Sequence, residues 1–103
     1  MKLRELAHAR AGDKGDVSNM SVIAFEPGDY AFLAEHVTAE RVRAHLADTV
    51  RGKVVRYELP GLGALNFVLH GALGGGVTRS LALDQHGKSL SSSLLELELP
   101  DRQ

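Results

Sequence analysis

Eight consecutive residues, Ser18 to Phe25, are apolar on both alternating sets: Met20, Val22 and Ala24 on one, Ile23 and Phe25 on the other. A strand with two apolar sides is one covered on both faces. The chain is therefore expected to place a sheet inside its core and to pack further elements against it. Glu26-Pro27-Gly28-Asp29 ends the run, and Asp29 is positioned to cap a helix on which Tyr30, Leu33 and Val37 recur at helical spacing. Thr38 reads as a second cap, with Glu40 in the first turn and Val42 and Leu46 one turn apart, so this segment is two helices or one kinked helix.

Lys53 to Leu59 alternates cleanly, which predicts a half-buried strand with Val55, Tyr57 and Leu59 inward and Arg56 and Glu58 outward. Pro60-Gly61 stops it. Leu62, Leu65, Val68, Leu69 and Ala72 then mark one face of a short helix, which Gly74-Gly75-Gly76 would end. Val77 to Leu83 returns to a period of two, Asp84-Gln85-His86-Gly87 is a turn, and Leu95, Leu97 and Leu99 alternate with Glu96 and Glu98 in a terminal strand. Ser89 to Leu94 fits strand or helix equally. The expected fold is α+β: a single-domain sandwich spanning 1–103, with one mainly antiparallel sheet and two helical segments on one face, ferredoxin-like. Its core is expected to hold Ile23, Val55, Tyr57, Leu65, Leu69 and Leu81, and its terminal strand to leave an open edge for self-association or a partner.

At 103 residues the chain suits one core and is too short for separate cofactor and substrate domains. The 12 basic and 13 acidic residues nearly cancel and form no block, which gives no footprint for nucleic acid or an anionic membrane. No cysteine is present, which excludes disulfides, thiolate metal sites and cysteine nucleophiles. Charge at Arg4, Glu5 and Arg10 breaks up the start of the chain, so no signal peptide or membrane span is expected, and the location expected is cytoplasmic.

The residues with chemistry to offer lie in three places. Gly12-Asp13-Lys14-Gly15-Asp16 is either turn chemistry before a strand, an anion nest with Lys14 adding charge, or, with the Asn19 carbonyl, part of a weak Mg²⁺ or Ca²⁺ shell. Asn66 and His70, four residues apart on the expected helix, would meet on one face. Arg79 falls on the apolar face of its strand and needs an anionic partner: Asp13, Asp16, a ligand or a neighbouring subunit. These groups are expected to converge in one polar pocket. His86-Gly87-Lys88-Ser89 is no phosphate loop, because position 82 is alanine where that loop needs glycine. The five histidines have no zinc spacing, no serine sits on a glycine elbow, and no cofactor fingerprint or catalytic motif emerges.

The blocks Arg10 to Phe25, Val37 to Val42 and Tyr57 to Leu99 resemble the C-terminal, ferredoxin-like domain of acyclic terpene utilisation proteins of the AtuA type. The uninterrupted match from Leu62 to Leu81 is the most specific. The resemblance implies a free-standing form of a domain otherwise fused behind a large N-terminal domain, in catabolism of branched, terpenoid-type acyl-CoA compounds. It implies an auxiliary subunit or binding module that pairs with a separately encoded AtuA N-terminal-like protein, and no cofactor. A small enzyme or anionic-ligand binder using the loop and Arg79 stands beside it, as does a purely structural homo-oligomerisation module.

Overall fold

A computed structural model describes residues 1–14, 17–71 and 90–101, excluding the side chains of Asp13 and Lys14. Two hairpins build the sheet. The first joins β1 (Ala7–Lys14) to β2 (Val17–Ala24); the second joins β3 (Val54–Leu59) to β4 (Ala64–His70) through a 3-10 turn at Pro60–Leu62. Between the hairpins lie α1 (Tyr30–His36) and α2 (Ala39–His45), and α3 (Leu90–Leu94) follows later in the chain. The strands run in the order β1-β2-β4-β3, and every neighbouring pair is antiparallel. This is the expected α+β fold, a single antiparallel sheet with helices, consistent with a ferredoxin-like architecture.

Among the described residues, the helices cover one side of the sheet. Met20 and Val22 of β2 and Leu65, Phe67 and Leu69 of β4 are buried with Leu33, Val37, Val42, Leu46, Leu90 and Leu94 from the helical side. Period-two alternation sends the intervening residues to the opposite face. Ile23 there is half-buried and Phe25 is exposed, so β2 has one covered face rather than the two its composition suggested.

Four further expectations are corrected. Ala64 to His70 is a strand, not a helix: Leu65, Phe67 and Leu69 form its buried set at a spacing of two, a period that the scattered apolar residues around it had masked. Strand β3 is turned over. Its Val54, Arg56 and Glu58 pair with Leu69, Phe67 and Leu65 and so share the helix-side face, which leaves Val55 half-buried and Tyr57 and Leu59 exposed on the other. Of the expected core, Leu65 and Leu69 are buried in it, Ile23, Val55 and Tyr57 lie on the opposite face, and Leu81 lies outside the described residues.

The third correction concerns the tail. Leu95 to Leu99 is no open edge strand: Leu3 N donates to Leu97 O (2.9 Å), Leu99 N to Met1 O (2.7 Å), and Leu97 and Leu99 are buried. The tail is stitched to the opening residues and its backbone groups are satisfied there. The fourth is Asp29, which forms no side-chain capping bond to α1. Thr38 does cap as expected, its Oγ1 accepting from Arg41 N at 3.1 Å, and the chain breaks between two helices at Val37.

Candidate functional site

Gly12, Asp13 and Lys14 end β1 at the turn of the first hairpin. Gly12 pairs with Asn19, Asp13 with Ser18 and Lys14 with Val17, while Gly15 and Asp16 lie outside the described residues. Ser18, which is buried, donates its hydroxyl to Gly12 O at 3.0 Å, so the hairpin carries its own internal tie just before the tip. Sequence reading missed this serine; a polar residue at the head of a buried apolar run was the available signal.

Val17 also pairs with His70, which brings the end of β4 beside the base of the hairpin tip. A clamp fixes that end. His70 N donates to Lys53 O (3.0 Å), and His70 O accepts from Gly52 N (2.9 Å). A Cβ on Gly52 would stand 2.5 Å from His70 O, which no side chain could do without moving backbone. Gly71 then turns the chain away with φ +67.

Asn66 is not with His70. On a strand four residues span ~13 Å, so the two share a face without touching. Asn66 Nδ2 instead donates to Ser21 Oγ at 3.0 Å. Through the ladder it stands in a transverse row, Arg10–Ser21–Asn66–Tyr57, one residue from each strand. Asn19 is exposed in the next row, Gly12–Asn19–Val68–Val55. Of the seven candidate residues, Lys14 and His70 thus lie at one end of the sheet, with Asp13 one row and Asn19 two rows further in. Asn66 sits mid-face, and Asp16 and Arg79 lie outside the described residues. Among the described residues no three His, Asp or Glu side chains gather as a metal site.

Arg56 was expected to face water and does not. Its guanidinium donates to Ala34 O (2.6 Å) and Val37 O (3.1 Å) and to Glu58 Oε2 (2.8 Å). The last carbonyls of a helix have no partner within it, and a cation at that end also meets the negative end of the helix dipole. Arg56 therefore fastens α1 to β3. Reading Leu65, Phe67 and Leu69 as a period-two set would have fixed the register and revealed it.

On the open face His8 stacks on Phe25, with ring centroids 5.6 Å apart and an interplanar angle of 12°. At the start of the chain, the Met1 α-amino group holds its proton more tightly than usual. Hydrogen bonds to Glu98 and then Asp101 stabilise its charged form.

A single antiparallel sheet with helices is the ferredoxin-like α+β architecture that was expected, and the AtuA ferredoxin-like domain model matches residues 1–100. The chain belongs to the AtuA ferredoxin-like family. No curated protein and no solved structure matches it. In this AtuA ferredoxin-like chain the adjective describes a fold alone, since without cysteine no thiolate could hold an iron–sulfur cluster. No helix among its described residues is long and apolar enough to cross a membrane.

Proposed function

We propose that this chain is a binding module that pairs with a separately encoded protein of the AtuA N-terminal type. The pair would work in the cytoplasm, in the breakdown of branched, terpenoid-type acyl-CoA compounds. The observation that carries this reading is the family match, which fills residues 1–100 with the ferredoxin-like domain. Co-expression with such a partner tests it directly. A complex that survives affinity capture and gel filtration is expected, and two chains that elute separately at micromolar concentration overturn it.

A second reading has the chain bind an anionic ligand itself, with Lys14, Asn19 and His70 towards one end of the sheet and Asp13, Asp16 and Arg79 as further candidate residues. It is favoured by the exposed Arg10 of β1, mid-face on the side that Asn19 and His70 share, whose described side chains include no carboxylate. A ligand at a hundred times its Kd adds ~2.7 kcal/mol to stability. A rise in the melting temperature with an acyl-CoA supports the second reading, and an unchanged melt at saturating ligand rules it out.

A further inference from the structure

We propose that the open face of the sheet binds a second copy of this chain, the two sheets stacking face to face about a two-fold axis that runs along the strands. The four large apolar side chains exposed on the described chain are Phe25 (53%), Tyr57 (54%), Leu59 (38%) and Leu62 (73%). Tyr57 and Leu59 belong to this face by register, Phe25 joins it by stacking on His8, and Leu62 lies in the turn that follows Leu59. All of the described helices pack on the other side.

Four features select a second copy as the occupant. The first is order. A two-fold axis along the strands lays β1-β2-β4-β3 on its own reverse, so β1 covers the partner copy's β3 and β2 covers its β4. Each transverse row then meets itself reversed. In the row Arg10–Ser21–Asn66–Tyr57, the Arg10 guanidinium lands on a Tyr57 ring, a cation over an aromatic face. Ser21 lands on Asn66, whose amide keeps a free N–H and a carbonyl after its bond within the chain.

The second feature is apolar fit. In the row His8–Ile23–Ala64–Leu59, Leu59 meets the His8–Phe25 stack while Ile23 lies over an Ala64 that is already buried; in the row Gly12–Asn19–Val68–Val55, Val55 meets the bare Gly12 and Val68 meets Asn19. The third is charge. The arginine of this face, Arg10, lies at its β1 edge, and the described side chains of the face include no carboxylate. An axis across the strands would set β1 on β1 and bring the two Arg10 guanidinium groups to the same edge, which the lengthwise axis avoids. The fourth is area. Four strands ~4.8 Å apart and about six residues long at ~3.3 Å each give a face of roughly 19 by 20 Å; with side-chain relief, two copies bury about 1,200 Å², the lower end for a specific interface.

The absence of native cysteine makes the test clean. Within one chain Arg10 and Tyr57 stand three strand spacings apart, ~14 Å, too far for a disulfide. Across the proposed interface they touch. Under mild oxidation the double variant Arg10→Cys/Tyr57→Cys is expected to give covalent dimers, while neither single variant does. Light scattering is expected to show a dimer for the unaltered chain and, with the circular dichroism spectrum retained, a monomer for Tyr57→Glu. A monomeric unaltered chain at sub-millimolar concentration overturns the proposal. So does a dimer that Tyr57→Glu leaves intact, cross-linking of the single variants as readily as the double, or a Tyr57 that only a different protein protects.

Discussion

Leu69 and Val68 are neighbours on one strand, and the sheet treats them in opposite ways. Leu69 is fully buried among Leu65, Phe67, Met20 and the helices, whereas Val68 is half-buried on a face shared with Asn66, Tyr57 and Arg10. The difference does not follow hydropathy, for both residues are apolar. It follows what lies above each face. On the helix side the described buried side chains pack together, and even the inward-facing Arg56 is held by two carbonyls at the end of α1. On the open side the rows mix apolar, amide, hydroxyl and basic groups, a composition closer to that of a protein–protein interface than of a core.

The largest effect that separates the two faces is expected from Phe67→Ala, which removes the bulkiest fully buried side chain. Loss of a buried phenylalanine typically costs ~3–5 kcal/mol, and the urea midpoint should fall accordingly; an unchanged midpoint would mean that the helices do not cover this face. Next comes Arg56→Met. It keeps the apolar stem but strips the donor from Ala34 O and Val37 O, and hydrogen bonds of charged groups are worth ~1.5–3 kcal/mol. Arg56→Lys should recover part of that loss, since a single ammonium can still reach a carbonyl. If Arg56→Met melts like the parent, β3 presents its other face to the helices.

Gly52→Ala probes where the open face ends. Its Cβ has no room beside His70 O, and such overpacking costs ~1–3 kcal/mol. Faster hydrogen exchange at the His70 and Gly52 amides should accompany it, and retention of parent exchange rates there would contradict the clamp. The smallest effect lies where the tail meets the start of the chain. The Met1 α-amino group has a folded-state pKa raised above its usual 8.0 by Glu98 and Asp101. Its contribution is therefore complete below about pH 8, where the unfolded amine is still protonated, and fades as pH rises through the higher folded value. Thermal melts should show a slight loss of stability on the alkaline side that Nα-acetylation abolishes.

How much of this was readable in the sequence differs by element, for physical reasons. Thr38 was readable because a cap is local: its hydroxyl reaches an amide three residues on. The first hairpin's inner strand was readable because a long apolar run between Gly and Pro punctuation has few alternatives. Strand β4 was not, since Leu62, Leu65, Val68 and Leu69 fit a helical stripe as well as Leu65, Phe67 and Leu69 fit a strand, and only pairing with β2 and β3 decides between them. The inversion of β3 has the same origin. Val55, Tyr57 and Leu59 form the more apolar set, but the register puts the Val54, Arg56 and Glu58 set against the helices, and the carbonyls waiting at the end of α1 make an inward arginine favourable. Of the candidate residues, Lys14 and His70 pair on either side of Val17 at one end of the sheet. The expected Asn66–His70 contact fails because it assumed a helical rise of ~1.5 Å per residue where the chain advances ~3.3 Å.

The most direct measurement of the one-sided sheet compares Leu69→Ser with Val68→Ser in denaturant, at concentrations low enough to keep the chain monomeric. Leu69→Ser should unfold the chain or remove several kcal/mol, because it cuts a buried side chain and leaves a hydroxyl in the core. Val68→Ser should cost no more than about 1 kcal/mol, as expected of a half-buried position facing water. Equal, large losses at both positions would place both residues in the core, as a helix over Leu62 to Ala72 requires, and would contradict the open face.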